Sequence, residues 1–234
     1  MTARSAHLLL VPGLGCTADL FAAQITALHG DLAISVTDHT RHNTIAAISR
    51  AILATAPNRF ALCGLSMGGY IAFEMLRQAP DRVERLALLD TTALSDTPEQ
   101  AERRLKLIGL AQSGEFHAVR DILWPLFVHP ARHGDLSLKR AVFAMMDETG
   151  PETFIRQQKA ITSRPDSRSS LAAIRCPALV LVGNEDALTP VAAAQTISDG
   201  IRGSKLAIVP ECGHLSAMER PDAVSEALRA WLNL

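Results

Sequence analysis

The sequence predicts an α/β fold built on a mostly parallel sheet of about six strands flanked by helices. Three observations carry this. Short apolar runs recur along the chain, each followed by a turn and a helical stretch. Most of the runs show little alternation, as strands buried on both faces of a parallel sheet should. The final segment is amphipathic at the helical period, so a helix closes the pattern.

Taken in order, the apolar runs are Leu8–Val11, Leu32–Val36, Phe60–Cys63, Val83–Leu89, Ala178–Val182 and Leu206–Val209. Between them lie helical stretches near Asp19–Leu28, Thr44–Ala54, Met67–Ala79, Val191–Ile197 and Pro221–Leu232. In the last, Val224, Leu228, Trp231 and Leu232 fall on one face. Pro221 and Pro190 suit the first turn of a helix, with Thr189 as the expected cap of the latter. The stretch from about 95 to 170 differs. It holds no convincing strand and reads as helices broken at Gly114, Pro130, Gly134, Gly150-Pro151 and Pro165. That is too long for a loop in a compact domain. The expected organisation is a core of residues 1–94 and 171–234 with a helical lid, residues 95–170, inserted between two strands. A second structural helical layer is the alternative, because periodicity does not show which face the insertion covers.

The chain has 234 residues, 48% apolar and 20% charged, enough to bury a full core without staples. A formal net charge of −1 favours neither nucleic acid nor an acidic membrane surface as partner. No apolar run approaches the roughly 18 residues of a membrane span. His7–Val11 is too short for a signal-peptide core, so the expected location is cytoplasmic. Cys16, Cys63, Cys176 and Cys212 lack a paired short spacing and read as free thiols.

Gly64-Leu65-Ser66-Met67-Gly68 matches G-x-S-x-G, after a strand and before a helix. The serine must stand on a sharp turn that projects its hydroxyl, and the flanking glycines let strand and helix approach. A hydroxyl needs a base, and His214, after the last apolar run, has the right setting. The base needs a carboxylate. Asp186, just past the fifth run, fits best. Asp90, at the end of Val83–Leu89, is a rival from which a carboxylate also reaches toward the histidine; the adjacent Glu185 is expected to point elsewhere. The order Ser66, Asp186, His214 is that of a strand-end triad. The oxyanion donors are expected to be the backbone N–H groups of Met67 and Leu14. His129 and His133 lie four apart without a third ligand, so no metal site is expected. One motif competes: Gly13-Leu14-Gly15-Cys16-Thr17-Ala18, with Asp38 ending the next strand, fits a dinucleotide fingerprint. It leaves the placement of Ser66, Asp186 and His214 unexplained.

The chain resembles the α/β-hydrolase superfamily, particularly compact bacterial carboxylesterases and the related menaquinone- and biotin-pathway hydrolases. The resemblance rests on Val11-Pro12-Gly13-Leu14-Gly15, Gly64-Leu65-Ser66-Met67-Gly68-Gly69, Asp81-Arg82-Val83, Gly183-Asn184-Glu185-Asp186, Thr189-Pro190, Cys212-Gly213-His214, Glu219 and Pro221. Where the family often has His-Gly in the first loop, this chain has Pro12-Gly13, which leaves that loop's hydrogen bonding open. The antiparallel hairpin that starts many members is expected to be absent. The resemblance implies hydrolysis of small or medium apolar carboxylic esters through an acyl-enzyme on Ser66, with no metal or organic cofactor. A small-molecule ester is the implied partner, and the assembly a monomer or small homo-oligomer. Carbon–carbon hydrolysis, thioester hydrolysis or a lyase reaction on the same triad stays open, as does, more remotely, a non-catalytic binding role. The lid is expected to line an apolar acyl pocket with Leu107, Trp124, Phe127 and Phe143, alongside Leu110, Ile122, Leu123 and Met146. Arg103, Arg104 and Arg156 either bind a substrate carboxylate or form a solvated helix face.

Overall fold

Six strands form one parallel sheet in the computed structural model, which describes residues 7–234. In chain order they are β1 (His7–Val11), β2 (Ala33–Val36), β3 (Phe60–Leu65), β4 (Val83–Leu89), β5 (Ala178–Gly183) and β6 (Lys205–Val209). The sheet order is β2-β1-β3-β4-β5-β6, with every pair parallel. The central runs are apolar throughout because both faces are covered: every residue of β3 and of β5 is buried. Edge strand β2 alternates between exposed and half-buried positions instead.

The helices are α1 (Ala22–Leu28), α2 (Ile45–Thr55), α3 (Met67–Gln78), α4 (Pro98–Gln112), α5 (Phe116–Phe127), α6 (Leu136–Thr162), α7 (Arg168–Leu171), α8 (Val191–Gly200), α9 (Ser216–Glu219) and α10 (Pro221–Leu232). Leu8, Leu10, Cys63, Leu89 and Leu181 pack on one face with Leu28 of α1 and Val224, Leu228 and Trp231 of α10. Leu9, Leu62, Leu88 and Val180 pack on the other with Ile48 of α2, Ile71 and Met75 of α3, and Ile197 of α8. Alternate side chains of one strand thus enter two separate cores, the period of two expressed in packing.

Helices alone, among the described residues, connect β4 to β5 apart from a 3-10 turn at Pro130–Arg132. Thr97 starts α4 with a capping box, its hydroxyl accepting from the Gln100 N–H while the Gln100 side chain accepts from its own. Gly114 (φ +84°) separates α4 from α5, and Asp135 caps α6. Gly150 (φ +75°), followed by Pro151, breaks α6 internally. These breaks fall where the sequence predicts them, since only glycine enters that backbone region cheaply.

The topology also fixes where a site forms. From β1 the chain steps outward to β2, then returns to the other side of β1 to make β3. The loops leaving β1 and β3 therefore diverge at their carboxyl ends, the crevice in which open parallel sheets bind ligands. Leu14 and Ser66 sit in those two loops.

Candidate active site

Ser66 occupies a turn that only crowding explains. Its backbone has φ +55° and ψ −113°, a conformation that costs a non-glycine residue on the order of 1–3 kcal/mol. A Cβ at Gly64 would collide with the backbone of Gly68, and one at Gly68 with the carbonyl of Val11. Both glycines are thus required for strand β3, helix α3 and strand β1 to converge. The Ser66 N–H donates to Leu89 O at 2.9 Å, and the Thr91 hydroxyl donates to Ser66 O at 2.8 Å. As the first residue of α3, Met67 has no intrahelical acceptor for its N–H.

A hydrogen-bonded chain leads away from the serine. His214 Nε2 lies 2.8 Å from Ser66 Oγ, and His214 Nδ1 lies 2.8 Å from Asp186 Oδ2. An ionised carboxylate can only accept, so Nδ1 carries a proton and the neutral ring accepts the serine hydroxyl at Nε2. Asp186 is 4% exposed and His214 2%. Burial alone would lift the Asp186 carboxyl. The imidazole beside it and hydrogen bonds from His214 and Thr189 bring it below its ordinary value instead. Burial likewise opposes a charge on His214, but Asp186, with help from Asp90 and Glu219, holds its pKa above the ordinary imidazole value.

Asp186 is seated by the loop that follows it. Leu188 N and Thr189 N donate to Oδ1 at 2.8 and 2.9 Å, and the Thr189 hydroxyl donates to Oδ2 at 2.6 Å. This corrects the reading of Thr189 as a helix cap: Pro190 stands at that position, and the hydroxyl is spent on the carboxylate. The histidine loop is clamped to the helical insertion. Phe127 O, the last carbonyl of α5, accepts from His214 N at 3.1 Å and Leu215 N at 2.9 Å. The buried Glu219 carboxylate accepts from Gly213 N at 2.9 Å and His129 N at 2.7 Å. The Phe127 ring stacks on the imidazole.

Asp90 is fully buried and turned away from the imidazole nitrogens. Oδ1 accepts from Gly183 N at 3.0 Å, and Oδ2 accepts from the hydroxyl and N–H of Ser216. Burial, and then the charge of Asp186, push its carboxyl up to about 8. Glu185 points elsewhere, accepting from Cys212 N at 3.1 Å.

Ser66, His214 and Asp186 thus meet from the ends of three different strands, an arrangement able to couple proton transfer to nucleophilic attack. The family model for the alpha/beta hydrolase family matches residues 8–227. The chain belongs to the alpha/beta hydrolase family. It is 28% identical over 195 residues to a pimeloyl-[acyl-carrier protein] methyl ester esterase of Aromatoleum aromaticum, covering 78% of this chain and 77% of that one. Among solved structures it superimposes on a malate-bound thermophilic esterase of Thermogutta terrifontis with a TM-score of 0.89 at 28% identity, covering 99% and 91% of the two chains. A hydrolase of Pseudomonas aeruginosa gives 0.88 at 26% identity, with coverages of 98% and 91%.

A cavity lies over the serine. It is lined by Leu14, Ser66 and His214, and on the insertion side by Leu107, Leu123 and Phe127. Trp124 and Phe143, expected in the pocket, are elsewhere. The Trp124 indole donates to His133 O at 3.1 Å and meets Phe143 edge-on, while Phe143 lies beneath Arg120 and Lys139. Leu110, Ile122 and Met146 do not line it either: Ile122 is 44% exposed, and Met146 packs over Gly15. Arg103 and Arg104 do line it, whereas Arg156 donates to Thr40 O at 2.9 Å and ties α6 to the loop after β2. The dinucleotide reading fails on place. Gly13 packs against Leu65 and Ser66, and a 3-10 turn, Ala18–Phe21, follows in place of a long crossover helix.

One further residue escapes the sequence reading. The buried His39, three residues past β2, puts Nε2 3.0 Å from Gly13 O. The four cysteines are free, and burial pushes the Cys16 thiol up to about 12, which makes it a poor nucleophile despite its place in the cavity wall.

Proposed function

We propose that this protein is a carboxylic ester hydrolase acting on short esters through an acyl-enzyme, with residues 95–170 serving as its lid. The observation that carries the proposal is the continuous chain from Ser66 Oγ through His214 to Asp186, both links 2.8 Å. The esterases among its relatives support it.

In this mechanism Ser66 Oγ attacks the acyl carbonyl carbon as its proton passes to His214 Nε2. The carbonyl π electrons become an oxyanion, held by the N–H groups of Met67 and Leu14. Collapse expels the alcohol, which takes the proton from Nε2. Water then attacks the acyl-enzyme, its proton going to His214 and on to Ser66 as the acid leaves. Asp186 stays ionised and stabilises the imidazolium.

Cavity size favours short acyl groups. The space over Ser66 is about 60 Å³, under half of the roughly 150 Å³ that accommodates benzene in an engineered cavity. The test is hydrolysis of p-nitrophenyl esters from acetate to decanoate by wild type and Ser66→Ala. Loss of kcat on the order of 10⁶ in the variant is expected. Hydrolysis that survives in Ser66→Ala, or a folded wild type inert on every ester, overturns the proposal.

A further inference from the structure

The wall of the cavity carries more positive charge than an apolar ester requires. Three guanidiniums, Arg103, Arg104 and Arg164, share it with a single carboxylate, Asp96. Asp96 already serves two of them: Arg104 Nε at 2.6 Å and Arg164 Nη2 at 2.9 Å. Both partners are burdened by burial, the Asp96 and Arg164 side chains being 4% and 5% exposed. Arg103, on the exposed rim, makes no ion pair among the described residues.

Donors are also in excess. Gln158 is fully buried in the same wall, and its Oε1 accepts from Arg104 Nη1 at 2.9 Å. Because a guanidinium only donates, that contact fixes the amide orientation and turns the Gln158 NH₂ away from it. This NH₂ has no acceptor, and neither has Arg164 Nε. A polar strut between α4 and α6 would be expected to balance its charges and satisfy its donors, since buried unpaired donors cost free energy. Here cations and N–H donors are left over, and the residues that carry them line the space above Ser66.

We infer that this wall is an anion subsite, and that the preferred substrate is a short ester carrying a carboxylate remote from the scissile bond. The inference rests on the hydrolase reading above and narrows it from apolar esters to anionic ones. Arg103 meets the carboxylate at the rim, and the Gln158 NH₂ supplies a neutral donor deeper in. Arg104 and Arg164, neutralised only in part by Asp96, set the local potential. Leu107, Leu123 and Phe127 hold the intervening methylenes.

Two measurements test this. The first compares kcat/KM for monomethyl glutarate and monomethyl adipate with that for the corresponding dimethyl esters, and for O-acetyl glycolate with that for ethyl acetate, followed by base uptake at constant pH. A carboxylate preference of at least tenfold is expected in one of the two series, corresponding to one charge-assisted hydrogen bond. Arg103→Gln is expected to cut that preference ratio several-fold and Arg103→Glu to abolish it, and Arg103 is exposed enough that neither substitution threatens folding. The preference should also shrink as salt rises, because the rim charge is screened. The second is calorimetric binding of glutarate to folded Ser66→Ala, which needs no turnover. Binding that weakens in the Ser66→Ala, Arg103→Glu double variant supports the subsite even if ester hydrolysis fails. Ser66-dependent hydrolysis with no carboxylate preference in either series, together with no glutarate binding, overturns the subsite and leaves the hydrolase reading standing.

Discussion

His39 Nε2 lies 3.0 Å from the carbonyl oxygen of Gly13, and that carbonyl shares a peptide plane with the N–H of Leu14. A carbonyl only accepts, so Nε2 carries the proton and donates. A trans peptide points its C=O and N–H in opposite directions, so anchoring Gly13 O aims the Leu14 N–H. Cys16 N donates to the same oxygen at 3.2 Å. A histidine from the loop after β2 thus holds the loop of residues 12–16. Burial keeps the His39 pKa below the ordinary imidazole value, so the ring stays neutral in its donor role.

His39→Ala is expected to lower kcat on a p-nitrophenyl ester by roughly 10- to 100-fold with little change in KM, since misaiming one oxyanion donor costs less than deleting it. His39→Gln, whose amide also donates, should recover part of the loss. Equal damage in both variants, or a rise in KM alone, would place His39 outside the oxyanion machinery.

Proton transfer to His214 requires a free Nε2, so kcat/KM should rise with pH through the imidazole pKa of the free enzyme. Asp186 holds that pKa above the ordinary value despite burial, so the acid limb should lie on the alkaline side of a typical histidine. Asp186→Asn removes the charge and favours the wrong tautomer. It should move the limb toward lower pH and reduce kcat by on the order of 10⁴. A pH–rate profile of both proteins decides it. An unmoved limb would mean that another group controls the titration.

The sheet and the hydrogen-bonded chain of Ser66, His214 and Asp186 were legible because their causes are local. Strands β3 and β5 read as unbroken apolar runs because both faces are buried, and Ser66 was marked by the glycines that its turn needs. Thr189 was misread because a threonine before Pro190 looks like a cap whichever group its hydroxyl serves; only the fold brings Asp186 within 2.6 Å. Trp124 and Phe143 had the right chemistry for a pocket, but periodicity does not say which face of a helix meets the cavity. The roles of His39 and Glu219 were invisible for a related reason: their acceptors and donors are backbone groups of other loops, which leave no mark in the sequence.

Asp90 should make stability depend on pH. Its folded pKa of about 8 stands above its unfolded value, so between these two values the native state holds a proton that the unfolded state has released. Stability contributed by this group is present at low pH and lost as pH rises through about 8. Asp90→Asn removes the titration while keeping one acceptor oxygen. The wild type should lead the variant at pH 5, and urea unfolding should show that lead shrinking by pH 8. A lead that grows with pH would mean that Asp90 is ionised in the native protein and favoured so.

Leu107 of α4 is 4% exposed and borders the cavity over Ser66, so its side chain sets how long an acyl group fits. Leu107→Ala removes three carbons from a buried wall and should destabilise the fold by about 2–5 kcal/mol, read as a lower urea midpoint. The same deletion enlarges a space of only about 60 Å³. Activity on p-nitrophenyl octanoate relative to acetate should therefore rise several-fold, even as overall stability falls. The two effects separate the roles of the residue. A stability loss without a change in chain-length preference would make Leu107 a packing residue of α4 and move the acyl group to the side of the cavity formed by Leu123 and Phe127.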